Sequence, residues 1–181
     1  MKKDQLHRKS IRLKGYDYSL EGVYFITICV KDWTCLFGVI TDGEMILNEM
    51  GQIAHDEWLK TSELRKNVEL DVFVIMPNHI HVIIGFLGRG ELHSHIELNS
   101  PITKKGECNS PLRGPSNNIG SIVGGYKSSV TKRLNLLNIG QTVWQRNYFE
   151  HIIRDEQSYQ TISNYIVDNP ANWSGDKFYN F

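Results

Sequence analysis

The order of apolar and polar residues along this chain predicts short strands that alternate with amphipathic helices. The clearest strand is 23–30, a run of β-branched and aromatic residues typical of a buried strand. Two shorter runs flank Asp42-Gly43, a dipeptide that favours the tight turn of a hairpin. The predicted strands are 23–30, 37–40, 44–47, 68–75, 79–86 and 148–154.

Apolar residues recur at helical spacing in three segments, 49–64, 119–137 and 156–169. Asn48 and Asp155 stand before the first and third segments, where their side chains can cap a helix N-terminus. Pro170 predicts the end of the last helix, because the residue before a proline disfavours helical backbone. The apolar stripe of the first helix consists of Met50, Ile53, Ala54, Trp58 and Leu59.

This order of elements predicts an α+β fold. Strand, helix, strand, strand, helix and strand follow one another, which is the split β-α-β pattern of a ferredoxin-like antiparallel sheet with helices on one face. A further C-terminal helix follows. We divide the chain into a basic N-terminal arm, 1–22, and one domain, 23–181, with a polar and predicted mobile insertion at 87–118. The aromatic tail, 173–181, is predicted to pack back on the domain.

The composition is that of a soluble globular protein. The chain has 181 residues, of which 40% are hydrophobic and 22% charged, and these values suit one domain with a full core. No apolar run is long enough to span a membrane, and the first residues are polar, so we expect a cytoplasmic protein that does not bind a membrane. The three cysteines lack CxxC spacing, which disfavours a disulfide framework or a structural zinc site.

The net charge of zero hides an uneven distribution. Basic residues outnumber acidic ones in 1–14 and again in 104–133, whereas 42–71 is acidic. Such a distribution is compatible with a basic face that binds phosphate groups. It is also compatible with ordinary solvated lysine side chains, and charge alone does not choose between these interpretations.

The most informative stretch is His79-Ile80-His81, inside an apolar strand that follows a turn at Pro77-Asn78. Successive side chains of a strand point to opposite faces, so the two imidazoles share one face. Two neighbouring imidazoles form half of a metal site. The alternative is a pair of core histidines whose ring nitrogens are satisfied by hydrogen bonds.

Tyr165 and Asn169 are four residues apart on the last predicted helix and therefore share a face. The tyrosine offers a phenol, which can act as a nucleophile or an acid. The asparagine offers an amide oxygen, a hard ligand suited to Mg²⁺ or Mn²⁺. Taken alone the pair is weak evidence, since such residues are common near helix ends.

Several other histidines and tyrosines are possible metal ligands or nucleophiles, but each has a simpler structural interpretation. His93 and His95 repeat the spacing of the histidine pair, but they lie in the polar insertion, where we predict a loop. Tyr126 and Tyr148 are alternative nucleophiles, and both are predicted to pack. His151, on the last predicted strand, is predicted to be a core ring or a partner of the site.

Three blocks carry a resemblance to a known family. The block 76–81 resembles the histidine–hydrophobe–histidine motif of single-tyrosine (HUH-type) insertion-sequence transposases. The block 143–154 resembles the tryptophan-glutamine block of the REP-associated tyrosine transposases, and 165–170 matches their tyrosine-x-x-x-asparagine-proline ending. The opening segment, 8–18, is also similar to the corresponding segment of many members of this family. The resemblance extends from about residue 8 to about residue 173 and lapses in the insertion.

The resemblance implies a nuclease domain, 23–181, that cuts and rejoins single-stranded or hairpin DNA through a 5′-phosphotyrosine intermediate. It implies that Tyr165 is the nucleophile and that His79, His81 and Asn169 hold Mg²⁺ or Mn²⁺. Both a monomer and a homodimer are compatible with it. Basic and aromatic residues are the candidates for DNA binding: Arg8, Arg12, Lys14, Tyr16, Tyr18, Lys127, Lys132, Arg133, Trp144, Gln145 and Arg146.

Two other functions compete with this interpretation. The first is a domesticated relative that binds DNA hairpins and no longer cuts them, although every implied catalytic residue is present. The second is a ferredoxin-like metalloenzyme that acts on a small molecule. The basic opening and the lack of a glycine-rich phosphate loop weaken this second alternative.

Overall fold

The computed structural model describes residues 22–86, 118–138 and 142–179. Six strands and three helices lie in these ranges. The strands are β1 (Gly22–Cys29), β2 (Gly38–Thr41), β3 (Glu44–Leu47), β4 (Val68–Ile75), β5 (His79–Phe86) and β6 (Phe149–Ile153). The helices are α1 (Glu49–Leu64), α2 (Ile119–Leu136) and α3 (Glu156–Val167).

The main sheet is fully antiparallel, with the strand order β4-β5-β1-β6. This order places β5, which follows β4 through a tight turn, between β4 and β1. It is the arrangement of a ferredoxin-like sheet, so the predicted fold class is confirmed. The hairpin of β2 and β3 forms a separate two-stranded sheet, as the Asp42-Gly43 turn predicts.

Helices α1 and α2 cover one face of the main sheet. The alternate side chains of β1 that point to this face include Tyr24, Ile26 and Ile28, all fully buried. Trp58 of α1 is also fully buried there, and its ring meets that of Tyr126 of α2 edge to face at 5.2 Å. Burial of large side chains of this kind stabilises a core by about 1.5–3 kcal/mol each.

Helix α3 packs on the opposite face through a smaller apolar cluster. Ile166 of α3 is fully buried against Val23, Ile83 and Ile153 of the sheet. The cluster covers only part of this face, at one end of the strands. At the other end, the same face of β5 carries the two histidines, so α3 brings its C-terminal turn beside them.

Side-chain caps fix where the helices begin. Asn48 accepts a hydrogen bond from the Gly51 backbone N–H at 2.9 Å, and Asp155 accepts one from Ser158 at 2.8 Å, as predicted. Helix α3 ends at Val167, two residues before the predicted end. The Asn169 N–H donates a hydrogen bond to the carbonyl oxygen of Ile166, three residues back. The backbone before Pro170 is therefore wound more tightly than an α-helix.

The tail packs back on the domain, as its aromatic residues predict. A short 3-10 turn, Trp173–Gly175, leads into Phe178, and both aromatic rings are buried with Cys29 and Met76. The N-terminal arm, 1–22, and the insertion, 87–118, lie outside the described residues except for their last positions. Within the described ranges, no helix has the length and apolarity that a membrane crossing requires.

Candidate active site

Strand β5 places both histidines on the face that α3 covers. The imidazole rings of His79 and His81 lie with their centroids 4.4 Å apart, and both side chains are almost fully buried. Their neighbours on β1 are Cys29 and Thr27, which pair with His79 and His81 in the strand register. The shared face predicted from strand alternation is therefore observed.

Asn78 fixes the orientation and the protonated nitrogen of His79. The Asn78 Nδ2 donates to the carbonyl oxygens of Trp33 and Phe178 at 3.1 and 2.7 Å, which turns its Oδ1 towards His79 Nδ1 at 2.8 Å. An amide oxygen only accepts, so Nδ1 carries the hydrogen. The Nε2 atom of a neutral His79 therefore holds a lone pair, and it finds no hydrogen-bond partner among the described residues.

Thr27 holds the second imidazole. The Thr27 Oγ1 lies 2.8 Å from His81 Nδ1, in a buried contact between β1 and β5. When Nδ1 donates to this hydroxyl, Nε2 keeps a lone pair on the side that faces α3. Both histidines thus have their Nδ1 atoms engaged by the scaffold, which is the arrangement that orients imidazole ligands in metal sites.

Burial keeps both imidazoles in their neutral form. It lowers the pKa of His79 to about 4, against the opposing effects of Asp176 and of the nearby Asn169 side chain. It also lowers the pKa of His81 well below the ordinary value, and the neighbouring His79 adds to this effect. Neutral imidazoles are the form that binds a cation.

Tyr165 and Asn169 reach the same place from the C-terminal end of α3. The Tyr165 hydroxyl lies 3.1 Å from His81 Nε2. Asn169 is 2% exposed, and its Oδ1, like His79 Nε2, has no hydrogen-bond partner in the described part of the chain. The structure thus brings together the two halves of the site that the sequence places about 84 residues apart.

A carboxylate that the sequence analysis did not select completes the cluster. Asp176 follows the 3-10 turn of the tail, and its Oδ2 accepts hydrogen bonds from the Tyr165 hydroxyl at 3.1 Å and from Asn169 Nδ2 at 2.8 Å. Its Oδ1 accepts from the Phe178 N–H at 2.7 Å. The only sequence signal for it was the aromatic tail predicted to pack back on the domain.

The environment of Tyr165 disfavours its ionised form. Burial, and then the negative charge and hydrogen bond of Asp176, raise the pKa of Tyr165 to about 12. Its side chain is nevertheless 39% exposed, so the ring lies at the edge of the site and not beneath it. The Phe25 ring packs edge-on against the phenol, with centroids 6.3 Å apart.

The donor atoms suit a divalent cation. Three residues of the cluster each offer one donor atom, and these three atoms lie within 4.8 Å of one another: His79, His81 and Asp176. Two ligands on opposite sides of one cation are about 4.4 Å apart when each bond is about 2.2 Å, so small side-chain movements would suffice. The unpartnered Nε2 of His79 and Oδ1 of Asn169 are the atoms that a cation would satisfy.

Five of the predicted DNA-binding residues lie outside the described residues: Arg8, Arg12, Lys14, Tyr16 and Tyr18. Two basic residues already have partners, because Lys127 Nζ donates to the carbonyl oxygens of Gln145 and Asn147, and Arg133 pairs with Glu57 at 3.0 Å. The Trp144 indole is buried and donates to the Lys127 carbonyl oxygen. Lys132 and Arg146 are exposed, and Gln145 is half-buried.

The alternative nucleophiles are placed elsewhere. The Tyr126 hydroxyl is buried in the core and donates to the Ala54 carbonyl oxygen at 2.9 Å, and Tyr148 packs at the edge of the same core. The prediction that His151 is a core ring is wrong, since its side chain is exposed on the edge strand β6. His93 and His95 lie outside the described residues.

Comparison with known proteins gives one close relative. An uncharacterised protein of Haemophilus influenzae is 43% identical over 182 aligned positions, which cover 96% of this chain and 93% of that protein. The chain belongs to the same protein family. No protein-family model matches the sequence.

Among solved structures, the REP-associated tyrosine transposase bound to a REP hairpin is similar to this chain. The TM-score is 0.59, the sequence identity is 19%, and the match covers 92% of this chain and 77% of that protein. At this identity the similarity establishes a shared fold. It agrees with the family that the three sequence blocks resemble.

Proposed function

We propose that this protein is a transposase-like, metal-dependent endonuclease that cuts and rejoins single-stranded or hairpin DNA, with Tyr165 as the nucleophile. One observation carries the proposal. The Tyr165 hydroxyl lies 3.1 Å from His81 Nε2, next to buried ligand atoms of His79 and Asn169 that have no partner among the described residues. A phenol beside a preformed set of neutral ligands is suited to phosphoryl transfer to tyrosine.

The proposed metal ligands are His79, His81 and Asn169, and the metal is Mg²⁺ or Mn²⁺. A bound cation of this kind would neutralise charge on the scissile phosphate and polarise it. The chain contributes the orientation of the ligands, since Asn78 and Thr27 engage the two Nδ1 atoms. Burial also keeps the imidazoles neutral, so they are ready to bind a cation near neutral pH.

In the proposed reaction the Tyr165 oxygen attacks the phosphorus. The bond from the tyrosine oxygen to phosphorus forms, the bond from phosphorus to the DNA 3′-oxygen breaks, and that oxygen leaves as a 3′-hydroxyl after taking up a proton. The 5′-phosphotyrosine keeps the energy of the broken ester, so a second 3′-hydroxyl can displace the tyrosine. Because the pKa of Tyr165 is about 12 without a bound cation, the phenol needs a proton acceptor or the positive charge of a nearby cation to lose its proton as the bond forms.

We propose folded single-stranded DNA as the substrate. The shared fold with a transposase bound to a REP hairpin supports this choice, as do the basic segments of the sequence. Of the predicted DNA-binding residues that the structure describes, Lys132 and Arg146 are the exposed basic ones, and neither takes part in an ion pair seen here. The phenol and both imidazoles belong to one chain, which supports a monomer that cuts in cis.

The test is a cleavage assay on a labelled DNA hairpin with single-stranded flanks, in Mg²⁺ or Mn²⁺. We expect the wild-type protein to cut and to form a covalent protein–DNA adduct, and we expect Tyr165→Phe to do neither. Tyr159→Phe is the matched control, because Tyr159 lies on the same helix but donates to Asp71 at 2.6 Å, away from the histidines.

Two outcomes would contradict the proposal. Cleavage that survives in Tyr165→Phe would exclude the covalent mechanism through this residue. Tight hairpin binding by the wild-type protein, without cleavage in either metal, would favour the domesticated hairpin-binding function instead.

A further inference from the structure

We propose that Asp176 is the charged member of the cation site, as a direct carboxylate ligand beside the neutral imidazoles of His79 and His81. This inference rests on the proposed function in one respect, the presence of a cation between the two histidines. It goes beyond it by assigning a ligand from the tail of the chain, outside the three sequence blocks. The geometry for it comes from the cluster in which His79, His81 and Asp176 offer donor atoms within 4.8 Å of one another.

The Asp176 carboxylate is held in position by the chain around it. Its Oδ1 accepts from the Phe178 N–H at 2.7 Å, which fixes the plane of the carboxylate relative to the tail backbone. Its Oδ2 accepts from Asn169 Nδ2 at 2.8 Å, which turns the Asn169 Oδ1 the other way. The carboxylate and the amide are therefore oriented by each other, in the manner of paired ligands.

The same residue that orients His79 also anchors the tail. Asn78 Nδ2 donates to the Phe178 carbonyl oxygen at 2.7 Å, while Asn78 Oδ1 contacts His79 Nδ1. The Phe178 ring then packs between the Trp33 ring, at 4.9 Å, and the His79 ring, at 4.6 Å. Asp176 is thus held against the histidines by a buried aromatic contact two residues away.

A second and independent observation points to a ligand at this place. His79 Nε2 and Asn169 Oδ1 are both buried, and neither has a hydrogen-bond partner among the residues described. Leaving such atoms unsatisfied is costly, so native structures pair them with a protein group, a water or an ion. A cation bound to Asp176 and His81 would lie in reach of a donor atom of His79, since the three residues offer donor atoms within 4.8 Å of one another.

The charge of Asp176 changes what the site can bind. Two imidazoles and one amide form a neutral donor set, which leaves the full charge of a divalent cation uncompensated in a buried site. One carboxylate reduces the net charge of the occupied site to +1. Two histidines and one carboxylate would hold a cation with only three protein ligands, which would leave room for phosphate oxygen and water.

The test measures Mn²⁺ binding by electron paramagnetic resonance of the purified full chain without DNA. We expect one saturable site in the wild-type protein, with nitrogen couplings from the histidines. We expect Asp176→Asn to weaken the affinity by about tenfold or more, because ligand and neighbouring-shell changes have effects of this size. The nitrogen couplings should persist in the bound fraction of the variant.

Asp168→Asn is the matched control. It removes the same charge from an exposed residue of the same segment, outside the cluster. We expect it to bind Mn²⁺ like the wild-type protein. Asp176→Glu, which retains a carboxylate, should recover part of the affinity, and circular dichroism with thermal unfolding establishes that each variant is folded.

The outcomes separate this inference from the proposed function. Wild-type affinity in a folded Asp176→Asn variant would overturn the role of Asp176 and leave the histidine site intact. Equal weakening by Asp168→Asn would overturn it too, because the effect would then be one of net charge. No saturable Mn²⁺ site in the wild-type protein would overturn both this inference and the metal dependence of the proposed function.

Discussion

The Tyr165 hydroxyl lies 3.1 Å from Nε2 of His81, the nitrogen that faces the centre of the cluster. The same hydroxyl lies 3.1 Å from Asp176 Oδ2. A phenol has a single hydrogen to donate, and the lone pair of an imidazole nitrogen serves one partner at a time. When the hydroxyl donates to His81 Nε2 and not to Asp176 Oδ2, the nucleophile and a cation therefore compete for the same atom of His81.

The first prediction follows from this competition. Tyr165→Phe removes the hydroxyl from the cluster, so the lone pair of His81 is free before a cation arrives. We expect the variant to bind Mn²⁺ about fivefold more tightly than the wild-type protein, since one hydrogen bond contributes about 1 kcal/mol. Titration calorimetry of both proteins measures the difference, and Tyr159→Phe should leave the affinity unchanged.

The opposite result would also be informative. If Tyr165→Phe binds Mn²⁺ more weakly, the phenol is itself a ligand and does not compete with the cation. The resting hydrogen bond to His81 would then be exchanged for a bond from the tyrosine oxygen to the cation, and the competition described above would be wrong.

The second prediction concerns Asn78, which is fully buried and makes three hydrogen bonds in the site. Asn78→Ala leaves His79 Nδ1 and two carbonyl oxygens without that partner. We expect a loss of about 2–4 kcal/mol of unfolding free energy. We also expect cation affinity to fall by about tenfold to a hundredfold, because His79 is no longer held in one orientation.

Asn172→Ala is the control for this effect. Asn172 is exposed on the tail, and its Nδ2 donates only to the Asp168 carbonyl oxygen at 3.0 Å in the hydrogen bonds seen here. Urea unfolding should show little change for it. Unaltered cation affinity in a folded Asn78→Ala protein would mean that Asn78 supports the turn but does not orient His79.

Most of the fold was predictable because its signals are local. The bounds predicted for β4 and β5 agree with the observed strands, since both are rich in apolar and β-branched residues and Pro77-Asn78 marks the turn between them. Asn48 and Asp155 marked the helix starts through their capping side chains. The placement of α3 on the face opposite α1 and α2 is a tertiary property, and no local signal carried it.

The site was predictable to the extent that its residues sit on regular elements. Strand alternation paired His79 with His81, and helical spacing paired Tyr165 with Asn169. Asp176 was missed because it follows an irregular turn whose position depends on the packing of Phe178 against Trp33 and His79. No periodicity reports such a contact.

The third prediction tests the close approach of α1 to the segment before β2. A Cβ atom at Gly51 would clash with the Phe37 carbonyl oxygen and come within 2.9 Å of the Leu47 side chain. We expect Gly51→Ala to lower the unfolding free energy by about 2–3 kcal/mol, because rigid backbone must move. Thermal unfolding followed by circular dichroism gives the comparison.

Gly124→Ala provides the matched substitution in α2. Nothing lies within 4 Å of a Cβ atom at this exposed position. Alanine favours helical backbone over glycine, so we expect a gain of about 0.5–1 kcal/mol. A Gly51→Ala protein as stable as Gly124→Ala would show that α1 can shift away from Phe37 at little cost.

The fourth prediction is a loss of stability in mild acid. Burial lowers the pKa of His79 to about 4, whereas the unfolded chain has the ordinary histidine value of about 6.5. The unfolded state therefore binds the extra proton as the pH falls through this window, and unfolding becomes more favourable. We expect the unfolding free energy to decrease from about pH 6.5 towards about pH 4, by on the order of 2–3 kcal/mol for His79.

Urea unfolding at pH 7.5 and pH 5 measures this effect in the metal-free protein. His79→Gln removes one of the two buried imidazoles with a lowered pKa and should reduce the pH dependence, and His81 should account for what remains. His151→Gln, a change at an exposed histidine of β6, should retain it. Equal pH dependence in all three proteins would mean that His79 takes up a proton without cost in the folded state. In that case burial would not hold the imidazole neutral, and its Nε2 lone pair would not be reserved for a cation.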